Sequence, residues 1–133
     1  MTKKSSHPDS DLIAHLLELL EPVAEDVTAK RMFGGHGFFQ DGLMFGLVAD
    51  GVFYLKVDDE NATEFDEREL PPFRYQRKTG QIGVMSYRQC PEEAFDNSER
   101  MRPWARSAMT AAERNRNRKQ KTRGPKKSGT RKR

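Results

Sequence analysis

Arg114, Arg116, Arg118, Lys119, Lys121, Arg123, Lys126, Lys127, Arg131, Lys132 and Arg133 fill more than half of residues 114–133, and none of those positions is Asp or Glu. Closely spaced cations displace condensed counterions from a phosphate backbone, giving sequence-independent affinity that falls steeply with salt. Engagement of about 6–10 such charges would lower affinity about 10³–10⁵-fold between about 50 and 200 mM salt. The segment carries no aromatic residue to stack on bases. It therefore suits the phosphates of DNA or RNA and is not equipped to read base identity. A solubilising extension, or a helix end whose cations complement the helix dipole, is the plainer account of the same residues. The length of the one-signed run weighs toward nucleic-acid contact.

Other residue clusters point away from catalysis. Arg31-Met32-Phe33-Gly34-Gly35-His36-Gly37 is the densest glycine block. It lacks the Gly-Lys-Ser/Thr of a phosphate loop and the Gly-x-Gly-x-x-Gly of a dinucleotide fingerprint, and strand-like residues follow it. A bent or bulged strand with close backbone approach fits it better. His7, His15 and His36 are scattered without zinc-ligand spacing, so any metal site would have to assemble His36 and carboxylates in space. Cys90 would need a histidine base to act as a nucleophile, and a structural or incidental thiol is the simpler reading. The acids of residues 58–69 resemble a solvated face, which could also hold the basic segment weakly when no polyanion is present. No catalytic, metal or cofactor residue is nominated, and no cofactor is expected.

The elements that must position these groups belong to an acidic body. Removing the eleven terminal cations from the chain's 24 leaves 13 basic residues against 20 acidic ones, so residues 1–113 carry −7 while the whole chain carries +4. All the aromatic residues lie in that body, which is long enough for one domain and too short for two. The expected organisation is a flexible N-terminus at 1–8, a domain at 9–113 and a basic disordered tail at 114–133 beyond any helical extension. One cysteine fits a reducing cytoplasm, and the longest apolar stretch is too short to span a bilayer. No signal peptide is apparent, and a cytoplasmic chain with no membrane partner is expected.

Leu12, Leu16, Leu19, Leu20, Val23 and Val27 recur at near-helical spacing, with Pro22 predicting an end near Glu21. Phe38-Phe39, residues 43–48 and residues 52–57 read as strands joined at Asp41-Gly42 and Asp50-Gly51. Asp-Gly supplies the positive φ angles of type I′ turns. A short acidic helix around Phe65 precedes a hairpin of residues 73–76 and 82–87. A helix bearing Trp104, Ala108 and Ala111 on one face closes the body. The order α-β-β-β-α-β-β-α predicts an α+β domain: two layers, with an antiparallel five-stranded sheet packed by helices.

With these blocks assembled, residues 9–113 resemble the TfoX/Sxy N-terminal domain family. The resemblance rests on Arg31-Met32-Phe33-Gly34-Gly35-x-Gly37, Asp41-Gly42-x-Met44-Phe45 and Tyr54-Leu55-Lys56-Val57-Asp58. Pro72-Phe73-x-Tyr75, Met85-Ser86-Tyr87 and Trp104 with Ala108 and Ala111 extend it. It implies a secretion-chaperone-like fold and regulation of natural competence genes, where members act at promoters with the cyclic-AMP receptor protein. The family is not known for catalysis. Two-domain members continue into a second helical domain, whose position the basic segment takes here. The expected function is a non-enzymatic competence or transcription regulator, pairing an interaction domain with a nucleic-acid-contacting tail. The alternative is a protein-binding or chaperone-like module with no physiological nucleic-acid partner.

Overall fold

A computed structural model of the chain describes residues 9–32, 35–76, 78–80 and 82–127. The first helix, α1 (Ser10–Leu20), buries Leu16, Leu19 and Leu20. It ends ahead of Pro22 as expected, and Val23 and Ala24 donate back to the Leu20 carbonyl at 2.9 and 3.2 Å. Six strands follow: β1 (Val27–Met32), β2 (Gly35–Gln40), β3 (Leu43–Ala49), β4 (Val52–Lys56), β5 (Pro72–Gln76) and β6 (Ile82–Gln89). Helix α2 (Ala62–Glu67) joins β4 to β5, and a 3-10 turn (Glu92–Asp96) leads into α3 (Ser98–Lys127). The sheet order is β1-β2-β3-β4-β6-β5, with every pairing antiparallel.

Both Asp-Gly turns adopt the geometry their residues predict. Asp41 and Gly42 have φ of 56° and 75°, and Asp50 and Gly51 have 52° and 77°. Positive φ at both central residues matches the right-handed twist of the flanking strands. The strand count is corrected from five to six, because Val27 opens β1 and does not extend the α1 stripe. That strand forms one sheet edge and has no buried residue, with Lys30 and Arg31 among its exposed positions. Charged edge strands discourage pairing with other chains, and their apolar signal is correspondingly faint. The glycine block is corrected as well. It is shared by two strands: Met32 of β1 faces Gly35 of β2, with residues 33–34 outside the described set.

The sheet's bulge lies further on. Phe38 faces Gly46 and Phe39 faces Met44, which leaves Phe45 as the extra residue. Phe38, Phe45, Val48, Phe53 and Leu55 of the sheet, with Val57 just after β4, pack with Leu16 and Leu20 of α1, Phe65 of α2, and Met101, Trp104, Ala105 and Ala108 of α3. Phe53 meets Phe38 edge-on at 5.4 Å, and Phe65 meets Trp104 at 5.2 Å. The result is the expected α+β arrangement, an open antiparallel sheet covered by helices. Among the described residues, no helix is long and apolar enough to cross a membrane.

Candidate nucleic-acid interface

Asn97 starts α3 by accepting the Arg100 backbone N–H at its Oδ1, 2.9 Å away, as a helix cap does. Met101, Ala105, Ala108 and Ala112 then form a buried stripe against the sheet. Helical geometry carries that stripe onward to Asn115, Arg116 and Lys119, three, four and seven positions beyond Ala112. A face that is apolar over the sheet thus becomes cationic at its margin. Asn115, Arg116 and Lys119 line a pocket of about 370 Å³ with Leu43 and Met44 of β3, Lys56 of β4 and Tyr87 of β6.

Lys56 reaches this pocket because β4 alternates. Phe53 and Leu55 point into the core, leaving Tyr54 and Lys56 on the other face. The Lys56 ammonium lies 5.2 Å from the centroid of the Tyr87 ring. Burial lowers its pKa, and the nearby Lys119 charge lowers it further, against the opposing pull of Asp58. Tyr87 donates its hydroxyl to the Met44 carbonyl at 3.3 Å, and burial pushes its pKa up to about 12. It therefore stays a neutral phenol that fixes the pocket wall.

A neighbouring face of α3 turns toward the loop between β4 and α2. Arg114 donates Nε to Asp58 Oδ2 at 2.6 Å and Nη2 to Oδ1 at 2.8 Å. Arg118, one turn on, donates to Asp59 Oδ1 at 3.0 Å, and Glu60 lies 3.4 Å from Arg114 Nε. The Asp58 side chain is 8% exposed. Its hydrogen bond with Arg114 holds the carboxyl at about 2, below the usual range, although burial opposes the shift. Asp58 Oδ1 also accepts the N–H groups of Glu60 and Asn61 at 3.0 and 3.2 Å. Asn61 returns the contact, accepting the Asp58 N–H at 2.8 Å and donating to the Lys56 carbonyl at 3.2 Å and the Ser107 hydroxyl at 3.0 Å. One buried amide thus joins the end of β4, the acidic loop and α3.

The helix passes through the boundary expected at Arg114 and continues to Lys127. This is the helical extension allowed for ahead of the tail: burial anchors the first half of α3, and Arg114 and Arg118 bind the body. Lys121, Arg123, Lys126 and Lys127 continue the same helix, while Arg131, Lys132 and Arg133 lie outside the described residues. The acidic stretch is also less uniform than a solvated face. Asp58 is largely buried, Asp59 and Glu60 meet the helix cations, and Asp66 binds Arg88 at 2.8 Å.

The residues of the recurring blocks take mainly structural places. Arg31 faces His36 across β1 and β2, and His36 faces Val48 in β3. Phe33 and Gly34 lie outside the described residues. A Cβ on Gly35 would fall 2.1 Å from the Val48 carbonyl oxygen, and one on Gly37 would meet the Met32 and Met44 sulfurs at 2.8 and 3.0 Å. Leu55 is in the core, and Arg68 lies 4.9 Å over the Trp104 ring. Tyr54 meets Phe73 edge-on at 5.0 Å on the opposite sheet face, where Phe73 stacks on Tyr75 at 6.2 Å.

Chemistry at Cys90 is discouraged. Cys90 and His15 border one cavity of about 390 Å³, but the thiol lies 3.7 Å from the Pro91 carbonyl. Burial, with the charge of Glu93 in support, pushes its pKa well above the ordinary thiol value, the reverse of an activated nucleophile. Among the described residues, no three of His, Cys, Asp and Glu converge as metal ligands. The residues that sequence reasoning missed are Lys56 as a site group and Asn61 as its anchor. The i, i+4, i+7 continuation from Ala112 was the legible signal for Arg116 and Lys119.

Comparison with known proteins places this geometry in a family. The chain is 36% identical over 58 residues to the DNA transformation protein TfoX1 of Aliivibrio fischeri (strain ATCC 700601 / ES114). That match covers 44% of this chain but only 27% of the relative's length. The family model of the TfoX N-terminal domain matches residues 18–112, the span from α1 to the last buried turn of α3. The chain belongs to the TfoX N-terminal domain family.

Proposed function

We propose that this chain is a non-enzymatic, cytoplasmic regulatory protein of the TfoX type. Its body docks a protein partner, and the cationic end of α3 holds nucleic acid without reading sequence. The observation carrying the proposal is the helix beyond Glu113, whose residues 114–127 include eight cations and no carboxylate. Residues 114–127 would extend about 21 Å at the α-helical rise, enough to follow several phosphates. Family membership supports the regulatory assignment at a coarse level. The partner implied by resemblance is a transcription factor of the cyclic-AMP receptor protein type, and competence genes are the implied target.

Fluorescence anisotropy with duplex DNA tests the nucleic-acid contact. The full chain is compared with a full-length variant carrying Lys121→Gln, Arg123→Gln, Lys126→Gln and Lys127→Gln. Loss of four phosphate contacts should flatten the slope of log affinity against log salt by about 3–4. Equal affinity and equal slope for the two proteins would remove nucleic acid from the proposal.

The other reading is a protein-binding module without a physiological nucleic-acid partner. It is favoured by the sheet face bearing Tyr54, Phe73 and Tyr75, of which Tyr75 is 38% exposed. Partners recovered from nuclease-treated lysate, with none lost relative to untreated lysate, would support it over the first.

A further inference from the structure

We infer that Lys56, Arg116 and Lys119 form a discrete binding site for a phosphate group, deeper and more selective than the general attraction of the helix end. The inference rests on the nucleic-acid reading only for the origin of that phosphate, which a polynucleotide or a free nucleotide could supply. Three cations from two distant parts of the chain converge on one pocket whose lining includes no carboxylate among the described residues. The cations of α3 are sorted by face. Arg114 and Arg118 are neutralised by Asp58 and Asp59, whereas Arg116 and Lys119 turn toward Lys56. Asp58, the carboxylate acting on Lys56, already accepts two hydrogen bonds from Arg114.

Clustered like charges in a partly desolvated pocket repel one another and focus a positive potential that an anion relieves. The guanidinium of Arg116 uses its Nε on Asn117, 3.4 Å away, leaving its terminal nitrogens to form a planar fork for phosphate oxygens. Asn115 adds an amide donor, and Met44 and the Tyr87 ring supply apolar walls against which a sugar or base can rest. A volume of about 370 Å³ falls within the range of small-molecule pockets, so a mononucleotide is a suitable occupant. Lys56 is outside the basic terminal segment, which separates this site from non-specific attraction to that segment.

The test uses the full-length protein and three probes: inorganic phosphate, adenosine 5′-monophosphate and duplex DNA. Binding of the first two is followed by amide NMR shifts at Lys56, Tyr87, Asn115, Arg116 and Lys119, and DNA binding by anisotropy. Lys56→Gln and Arg116→Gln should each weaken the monophosphate about tenfold, while Lys56→Arg retains most binding. Arg100→Gln, an equal charge change on an exposed part of the same helix, should leave affinity within about twofold. Circular dichroism and Trp104 fluorescence establish that each variant is folded. Loss of DNA affinity in parallel with monophosphate affinity assigns the site to a polynucleotide, and loss of monophosphate alone assigns it to a free nucleotide. Monophosphate binding by a chain that binds no DNA would leave the site standing and sink the nucleic-acid function. The site is overturned if neither small probe shifts the pocket amides, or if Lys56→Gln and Arg116→Gln behave like Arg100→Gln.

Discussion

Asp58 and Arg114, 56 residues apart, meet through two parallel hydrogen bonds of 2.6 and 2.8 Å. This pairing ties the start of the terminal cationic segment to the body. Arg114 is 26% exposed at its side chain and Asp58 only 8%, so removing the cation strands a largely buried carboxylate. Arg114→Gln should destabilise the domain by about 1–2 kcal/mol, discounted for the solvent that reaches the pair. Asp58→Asn should cost a similar amount, and the double variant less than the sum. A double-mutant cycle by urea unfolding, read from Trp104 fluorescence, measures the coupling. A coupling energy of zero would mean that the pair contributes nothing to stability.

The same pair sets an acid limit. The folded Asp58 carboxyl is held at about 2, below its ordinary 3.8, chiefly by the Arg114 hydrogen bond. A depressed carboxyl pKa adds stability that is complete above the unfolded value and is lost as pH falls through the folded one. The Asp58 contribution should therefore disappear between about pH 4 and pH 2. Carboxyl-carbon NMR titration should place the Asp58 midpoint near 2, and Asp58→Asn should flatten the stability profile across that window. A midpoint at the ordinary aspartate value would contradict the assignment.

What could be read from the chain and what could not follows the range of the forces involved. Asp41-Gly42 and Asp50-Gly51 were legible because positive φ is demanded by the turn itself. Leu16, Leu19 and Leu20 were legible because a buried helix face repeats along the chain. β1 was not, because Thr28, Lys30 and Arg31 serve an edge and carry little apolar periodicity. A basic composition gives no apolar stripe from which the length of α3 beyond Ala112 could be read, although Arg, Lys and Gln are good helix formers once the preceding turns are anchored by burial and by Asp58. Asn61 and the place of Lys56 in a pocket escaped notice for another reason: their partners on α3 are brought to them only by the fold.

The glycines should differ sharply in their tolerance of a methyl group. A Cβ at Gly35 would lie 2.1 Å from the Val48 backbone oxygen, which cannot swing aside. One at Gly46 would lie 2.7 Å from the Phe53 ring, packed in the core. One at Gly37 meets the sulfurs of Met32 and Met44, which are adaptable side chains, as well as the Phe39 ring. Gly35→Ala should therefore cost at least the upper end of the ~1–3 kcal/mol overpacking range, Gly46→Ala a middle value, and Gly37→Ala under about 1 kcal/mol. Urea midpoints for the three variants check the order. Equal losses at Gly35 and Gly37 would show that close backbone approach is not what the glycine block provides.

Asn61 offers the most direct control over the helix end. Its amide is the shared partner of the Asp58 N–H, the Lys56 carbonyl and the Ser107 hydroxyl. Asn61→Ala leaves those groups to find other partners at a cost of about 1–3 kcal/mol. The loss should be local as well as global, because the same amide ties the acidic loop to α3 one face away from the pocket. Hydrogen exchange should quicken at the amides from Ala112 to Lys119 more than at Met101 to Ala105, where core packing holds the helix. Asn61→Asp keeps an acceptor for the Asp58 N–H but removes the donors and sets a second carboxylate beside Asp58, so it should not rescue the alanine variant. Unchanged exchange beyond Ala112 in Asn61→Ala would mean that Arg114 and Arg118 secure the helix end without this amide.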